Sequence, residues 1–199
     1  DPIVFSACNA LEKLTPSCPE ALKILEKYDY GMNRTLVNED EPVHMERRRA
    51  LMDAFTADHL EEHRLFVKAL VKDKVDQFIH KGRTDLVQDL LWEVPLTVAL
   101  HFLGVPEDDM QELRQFAVAH TVNTWGRPTE QEQLAVAEGV GQFWQYSGRV
   151  LEKMKNHPAG EGWMYDMIAK NRIMPDVVTD NYLHSMMMAI MVAAHETTA

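Results

Sequence analysis

The last stretch of the sequence, residues 181–199, is an apolar run that turns abruptly polar at its end. Methionine, isoleucine, valine and alanine follow one another closely enough to surround a helix, which predicts burial on most sides. A buried helix tolerates carboxyl and hydroxyl groups only where hydrogen-bond partners satisfy them. The adjacent side chains of Glu196 and Thr197 therefore mark this end of the helix as a candidate functional site.

An acid beside an alcohol on a buried helix can relay protons. The Thr197 hydroxyl can donate to a bound oxygen species, and the Glu196 carboxyl can replace that proton from solvent. Ala193 and Ala194 lie one turn earlier and leave room for a flat cofactor or a diatomic ligand. The Thr197 hydroxyl can also bond the Ala193 carbonyl. Core packing by the methionines and an exposed helix end at Glu196 are the structural alternatives.

A zinc site is the competing interpretation of this region. His195 and Glu196 begin an H-E-x-x-H motif, but its fifth position is Ala199, which excludes a zinc peptidase. Cys8 and Cys18 stand in no C-x-x-C or Cys/His cluster. We therefore expect neither a disulfide framework nor structural zinc, and a reducing, cytoplasmic compartment is the default.

Composition bounds the class of protein. The chain has 199 residues, 46% of them hydrophobic, which suits one domain or part of one. A net charge of -11 argues against binding to nucleic acid or to an anionic membrane surface. No apolar run is long enough to span a bilayer. A start without methionine and an end inside a predicted helix indicate a piece of a longer protein.

Helical periodicity with start and stop signals divides the whole chain, and no strand pattern stands out, so we predict an all-α fold. The predicted helices cover residues 19–27, from Pro42 into the fifties, 57–80, from Thr84 or Asp85 to Phe102, 107–120, from Thr129 to about Asn156, 163–171, and from Pro175 or Asp176 onwards. Ser17, Thr56 and Thr129 are predicted caps. Pro95 is a predicted kink, and residues 123–128 a predicted loop.

Three motifs, taken in order, resemble the cytochrome P-450 family of haem-thiolate monooxygenases in its soluble bacterial form. The first is His44-x-x-x-Arg48, whose side chains share a helix face. The second is the segment 85–108, which contains a Gly-Val-Pro turn, and the third is the run Ala193-Ala194-His195-Glu196-Thr197-Thr198. Each motif alone is weak, but their order and spacing agree with the family along nearly the whole chain.

The resemblance implies a P-450 type fold, bound haem b and a set of residue roles. Cofactor contacts fall to His44, Arg48, Ala193, Ala194 and Thr197, proton delivery to Glu196 and Thr197, and the substrate side to Ala189 and Val192. The family's cysteine ligand lies in a Phe-x-x-Gly-x-x-x-Cys motif that we expect beyond Ala199, and neither Cys8 nor Cys18 matches it. Residues 1–199 are then part of one monooxygenase domain, with no second domain and no metal ligand in this chain.

The resemblance also implies an activity. The full-length parent would activate O₂ with electrons from NAD(P)H through a redox partner, a ferredoxin or a reductase, and hydroxylate or O-dealkylate a small apolar or aromatic substrate. The 123–128 loop, the Phe143-Trp144 pair and the Ala193-Ala194 variant are most similar to the self-sufficient class, which carries a fused FMN and 2Fe-2S reductase. Residues 28–36 and 121–125 are candidate lids by the same analogy. A non-catalytic helical module with an apolar ligand cavity is the alternative.

Overall fold

A computed structural model describes residues 4–52, 55, 57–106, 108–109, 116–157 and 159–198, with the backbone alone at 57–59, 117 and 196. These ranges contain the helices α1 (Pro19–Lys27), α2 (Val43–Leu51), α3 (Ala57–Phe78), α4 (Val94–Leu103), α5 (Ala117–Trp125), α6 (Glu130–Lys155), α7 (Trp163–Ile173) and α8 (Asp180–Glu196). Two 3₁₀ turns, 36–38 and 79–81, and a π-helical turn, 87–91, connect them. The described residues form no strand, and the all-α prediction is confirmed.

Helix α8 is the central element, as its apolar sequence predicts. It packs against α4, α5, α6 and α7. Met187 and Met188 are fully buried against Phe143 of α6 and Leu100 of α4 in the main hydrophobic cluster. Thioether side chains fill irregular gaps well, so this stripe also serves as core packing. None of the helices in the described ranges is long and apolar enough to cross a membrane.

The predicted capping box at the start of α6 is present. The Thr129 N–H donates to the Glu132 carboxylate at 2.8 Å, and the Glu132 N–H donates to the Thr129 hydroxyl at 3.4 Å. The first of these bonds holds the pKa of Glu132 below its usual value. The box satisfies backbone donors that the first turn leaves unpaired, so this helix begins where its sequence predicts.

Two predictions about helix starts are wrong. Ser17 does not cap α1: Cys18 occupies the N-cap position without a side-chain cap, and the Ser17 hydroxyl instead accepts from Lys13 Nζ at 2.7 Å. Pro95 does not kink a continuous helix. It stands in the first turn of α4, where a missing N–H costs nothing, and the π-helical turn precedes it as a separate element.

Two further boundaries differ from prediction. Helix α5 continues to Trp125, so only the end of the predicted 123–128 loop is a loop; the Thr124 hydroxyl bonds the His120 carbonyl at 3.1 Å within this helix. Helix α8 begins at Asp180, not at 175 or 176, because the Thr179 side chain caps it by accepting from the Tyr182 N–H at 3.1 Å. Thr56, Glu107 and residues 110–115 lie outside the described part of the chain.

We predict that Gly104→Ala destabilises the protein much more than Gly82→Ala. Both glycines have left-handed backbones, with φ of 78° and 69°. A Cβ at Gly104 would lie 2.1 Å from the Glu161 carbonyl oxygen, whereas one at Gly82 meets nothing within 4 Å. Denaturant unfolding should show a loss of about 1 kcal/mol for Gly82→Ala and about 3 kcal/mol for Gly104→Ala. Equal losses would contradict the close approach at Gly104.

His184 joins α6 to α8 and gives the fold a pH dependence. Its ring stacks on Trp144 with 3.5 Å between centroids, and its Nε2 lies 2.8 Å from the Trp144 carbonyl and 2.9 Å from the Ser147 hydroxyl. Burial lowers the pKa of His184 to about 4. The imidazole of an unfolded chain titrates near pH ~6.5. As the pH falls between these values, the unfolded state therefore takes up the proton first.

The contribution of His184 to the free energy of unfolding should be fully present above about pH 6.5 and should decline as the pH falls towards about 4. His184→Gln keeps an N–H donor near the position of Nε2 and removes the titration. We expect the free energy of unfolding of this variant to depend less steeply on pH in that interval, measured by urea unfolding at several pH values. Parallel curves for the two proteins would exclude His184 as a source of the dependence.

Candidate functional site

A cavity of about 620 Å³ lies between the end of α8, the start of α2, α5 and the N-terminal segment. Five of the predicted site residues line it together: His44, Arg48, Ala189, Val192 and Ala193. The first two come from α2 and the others from α8. Folding therefore brings together two motifs that are separated by about three-quarters of the length of the chain. Met186 and Ile190 add to its apolar wall.

Three consecutive acids, residues 39–41, line the same cavity, and each of them already has a partner. Glu39 is ion-paired with Arg47. Asp40 accepts from the Ser6 hydroxyl at 2.6 Å, which holds the pKa of Asp40 low. Glu41 is 3.0 Å from His44 Nδ1, and this hydrogen bond lowers the pKa of Glu41. Asp40 and Glu41 stay ionised, so the described lining of the cavity carries carboxylates as well as the guanidinium of Arg48.

Arg48 is the arginine that lines this cavity. It is exposed towards the cavity, and the described part of the chain shows no ion pair to it. His44 differs from the prediction in one respect, because its Nδ1 faces Glu41 and only the other ring nitrogen is left for a ligand. A guanidinium at the rim of an apolar cavity is suited to a carboxylate, which its fork geometry binds by two parallel hydrogen bonds.

The end of α8 supplies an accessible strip on an otherwise buried helix. Ala193 and Thr197 are both exposed, one turn apart, whereas Val192 and His195 beside them are buried. The Thr197 hydroxyl bonds the Ala193 carbonyl, as predicted from the sequence. The backbone of Glu196 is helical, and its side chain lies outside the described part of the chain. A strip of small residues lets a flat group approach the backbone closely.

These features fit a haem. The macrocycle is flat and apolar and carries two propionates, so it needs an apolar cavity with a flat wall and cations at its rim. Ala193 provides part of the wall and Arg48 a cation in the same cavity, and the exposed Thr197 follows one turn after Ala193 without lining the cavity. Haem iron also needs an axial ligand. The described residues contain no cluster of three or more His, Cys, Asp or Glu side chains that could hold a metal ion.

Ala194 does not share this cavity. It lines a second apolar groove of about 890 Å³ between α3, α4 and α8, together with Thr198, Val98 and Phe102. Its half-buried side chain points away from the wall formed by Ala193 and Val192, as the rotation between neighbouring helical residues requires. The predicted cofactor contact of Ala194 therefore rests on the resemblance alone.

Sequence reasoning missed two residues of the site region. His195 is buried, and its Nε2 donates to the Trp92 carbonyl at 2.7 Å, which fixes the end of α8 against the turn before α4. His120 of α5 lines the cavity and contacts Met32, 88 positions away. A single histidine on an apolar helix gives no pattern that would have identified either contact.

Comparisons with known proteins agree with the geometry. The chain is 85% identical to the crystal structure of the Acinetobacter radioresistens CYP116B5 heme domain, with a TM-score of 0.93 over 99% of this chain and 48% of that one. It is 26% identical to the biotin biosynthesis cytochrome P450 of Bacillus subtilis over 96% of this chain and 47% of that protein. The chain belongs to the cytochrome P450 family. No model of a known protein family matches it.

Another P450 structure concerns the self-sufficient class of the family. The chain is 61% identical to an intact type IV self-sufficient cytochrome P450 monooxygenase, with a TM-score of 0.92 over 97% of this chain and 25% of that one. The chain spans about half the length of the curated P450 relatives that it matches. Relatives named as monooxygenases favour an enzyme over the non-catalytic binding module that the sequence alone leaves open.

Proposed function

We propose that residues 1–199 form the oxygen-activating part of a haem-dependent monooxygenase domain. The observation that carries this proposal is the shared cavity, in which Arg48 of α2 and the Ala193 strip of α8 lie together. A bound haem would supply the redox chemistry, with an axial cysteine beyond Ala199. This chain supplies binding groups, shape and protons.

Arg48 and His44 are proposed to hold a haem propionate. The Arg48 guanidinium binds the carboxylate by charge-assisted hydrogen bonds, and Glu41 orients the His44 ring through its 3.0 Å hydrogen bond. Glu39 is ion-paired with Arg47 and Asp40 accepts from Ser6, and in the described part of the chain neither forms an ion pair with Arg48. Ala193 and Thr197 are proposed to lie against the macrocycle. For Ala194, which lines the second groove, contact with the macrocycle is proposed from the family resemblance alone.

Glu196 and Thr197 are proposed to deliver protons to the oxygen-binding side of the haem. The Thr197 hydroxyl has one proton, which it now donates to the Ala193 carbonyl. A rotation of that hydroxyl, or a water bonded to it, passes a proton towards the cavity. The Glu196 carboxyl follows directly in the chain and replaces the proton from solvent. A positioned acid of this kind contributes about 10²–10⁴-fold to a rate.

A part of the same cavity, beside the site proposed for the haem, is proposed to bind the substrate. Ala189 and Val192 line it one to two turns before Thr197, together with Met186 and Ile190. This wall favours a small apolar or aromatic molecule, which the enzyme would hydroxylate or O-dealkylate. The electrons are proposed to come from NAD(P)H through a ferredoxin or a fused reductase with FMN and 2Fe-2S centres, in line with the likeness to a self-sufficient relative. A cytoplasmic protein without nucleic-acid or membrane partners fits this scheme.

Isotopically labelled oxygen tests the proposed reaction. The whole protein, supplied with NAD(P)H, an alkylbenzene and labelled O₂, should place one labelled atom in the hydroxylated product and the other in water. A parallel reaction with labelled water and ordinary O₂ should give unlabelled product. Product oxygen that came from water would contradict the proposal.

A further inference from the structure

A third cavity, of about 310 Å³, lies beside the first and shares Leu11, Met32 and His120 with its wall. We call it the polar cavity. Two cations, Lys13 and Arg34, line it together with three asparagines, and its described lining contains no aspartate or glutamate. The whole chain has a net charge of -11. A cavity that collects positive charge in an acidic protein is a candidate site for an anion.

The three asparagines of the polar cavity all turn their amide oxygens towards the protein. Asn33 Oδ1 accepts from the backbone N–H of the following residue at 2.7 Å, and Asn38 Oδ1 accepts from the Thr35 N–H at 2.8 Å. Asn123 Oδ1 accepts from Lys13 Nζ at 3.0 Å. Backbone N–H groups and an ammonium can only donate, so in each amide the oxygen faces the partner and the NH₂ group is left over.

These NH₂ groups are accessible donors. Within the described ranges, none of the three has an acceptor for its hydrogen bonds. Asn38 and Asn123 are half-buried, and their Nδ2 atoms do not belong to the buried side-chain atoms that lack a partner. Nδ1 of His120 does belong to that group, so a ligand cannot reach it. His120 therefore contributes shape to the polar cavity, and the amides contribute hydrogen-bond donors.

The two cations also have donors left. Lys13 Nζ donates to the Ser17 hydroxyl at 2.7 Å and to Asn123, which leaves one of its three N–H groups. Burial lowers the pKa of Lys13, and the described residues offer it no carboxylate. Arg34 is exposed and interacts electrostatically with Asp40, but no ion pair joins the two in the part of the chain described. Both side chains are therefore available to a ligand.

We propose that the polar cavity binds an oxyanion, a carboxylate or phosphate group, through Lys13, Arg34 and the spare amide donors. Ammonium, guanidinium and amide N–H groups all donate, and an oxyanion accepts from each of them. A cationic ligand would meet like charges. A neutral apolar ligand would displace water from these donors without replacing its hydrogen bonds.

The proposal goes beyond the proposed function, because Lys13 and Arg34 do not line the cavity assigned to the haem and the substrate. The oxyanion has two possible sources. It is either a free inorganic anion or the acidic group of an organic molecule. The shared wall at Leu11 and Met32 places either of them next to the first cavity.

Calorimetric titration of the whole protein tests the proposal, in about 0.15 M sodium chloride to screen non-specific attraction. The probes are inorganic phosphate, 4-phenylbutanoate and its neutral amide, 4-phenylbutanamide. We expect saturable binding of an oxyanion. Phosphate binding identifies a free anion as the ligand. Binding of 4-phenylbutanoate about tenfold or more tighter than that of the amide identifies an organic acid. Saturable binding of neither oxyanion, or equal binding of acid and amide without binding of phosphate, overturns the proposal.

Matched variants locate the bound anion. Arg34→Gln removes a side chain without a hydrogen bond or ion pair in the described part of the chain, so we expect the fold to persist and the anion to bind about tenfold more weakly. Lys13→Met keeps the length of the side chain without its charge and should lose a similar factor. Arg127→Gln is the control, because Arg127 is exposed and does not line the polar cavity.

Anion affinity in Arg127→Gln should equal that of the unmodified protein. Unchanged affinity in Arg34→Gln, or an equal loss in Arg127→Gln, overturns the assignment. The titration needs no bound haem for its readout, so its failure is distinguishable from a failure of the proposed haem site.

Discussion

Thr197→Ala in the whole protein is expected to uncouple NAD(P)H consumption from product formation. The substitution removes the only hydroxyl on the accessible strip beside Ala193, so the proton that Thr197 would deliver is lost. Reduced oxygen then leaves as hydrogen peroxide instead of being used on the substrate. We expect the ratio of product to NAD(P)H consumed to fall about tenfold or more, with NAD(P)H oxidation continuing. Parallel assays of product, NAD(P)H and peroxide measure it.

Thr198→Ala is the matched control. Thr198 is the next residue, is also exposed, and lines the second groove. In this variant, the ratio of product formed to NAD(P)H consumed should stay at the unmodified value. Thr197→Ser, which keeps a hydroxyl, should recover most of the coupling. Normal coupling in Thr197→Ala, or an equal loss in Thr198→Ala, would remove the proton-delivery role from Thr197.

Arg48→Ala is expected to weaken haem retention strongly. A charge-assisted hydrogen bond contributes about 1.5–3 kcal/mol, which corresponds to an affinity loss of about 10- to 100-fold. Arg48 lines the cavity, and the described residues form no ion pair with it. No neighbouring cation is therefore placed to take over its function. Transfer of haem to excess apomyoglobin measures the loss as a faster release rate.

Arg49→Ala controls for the loss of one positive charge on α2. Arg49 is exposed on the same helix and does not line the cavity. It should release haem at the unmodified rate. Arg48→Lys should fall between the two, because an ammonium keeps the charge without the fork geometry. Equal rates for Arg48→Ala and Arg49→Ala would contradict the propionate assignment.

Local sequence patterns predicted those parts of the fold that depend on local interactions. The capping box at Thr129 and the hydroxyl–carbonyl bond at Thr197 each join residues three or four positions apart, and both are present. The burial of α8 followed from its all-round apolar surface. The family resemblance predicted that Arg48 and Ala193 share one site, and both line the cavity.

The remaining features depend on distant parts of the chain. The Met32 sulfur lies 3.1 Å from His120 Nε2, 88 positions away, and no spacing in the sequence predicts that contact. In the sequence, His195 belongs only to an incomplete zinc motif, yet it anchors α8 to the Trp92 carbonyl, 103 positions earlier. Helix α5 extends to Trp125 against the prediction of a loop, because packing against α6 and α8 outweighs the weak propensities of Asn123 and Thr124.

The carbon monoxide complex of the whole protein tests most directly whether this chain contributes to a haem-thiolate site. The purified protein is reduced, exposed to carbon monoxide, and its Soret absorption is recorded against the reduced protein without carbon monoxide. We expect a thiolate-type band, at a longer wavelength than a histidine-ligated haem gives. A protein without haem, or one with only a histidine-type band, would contradict it.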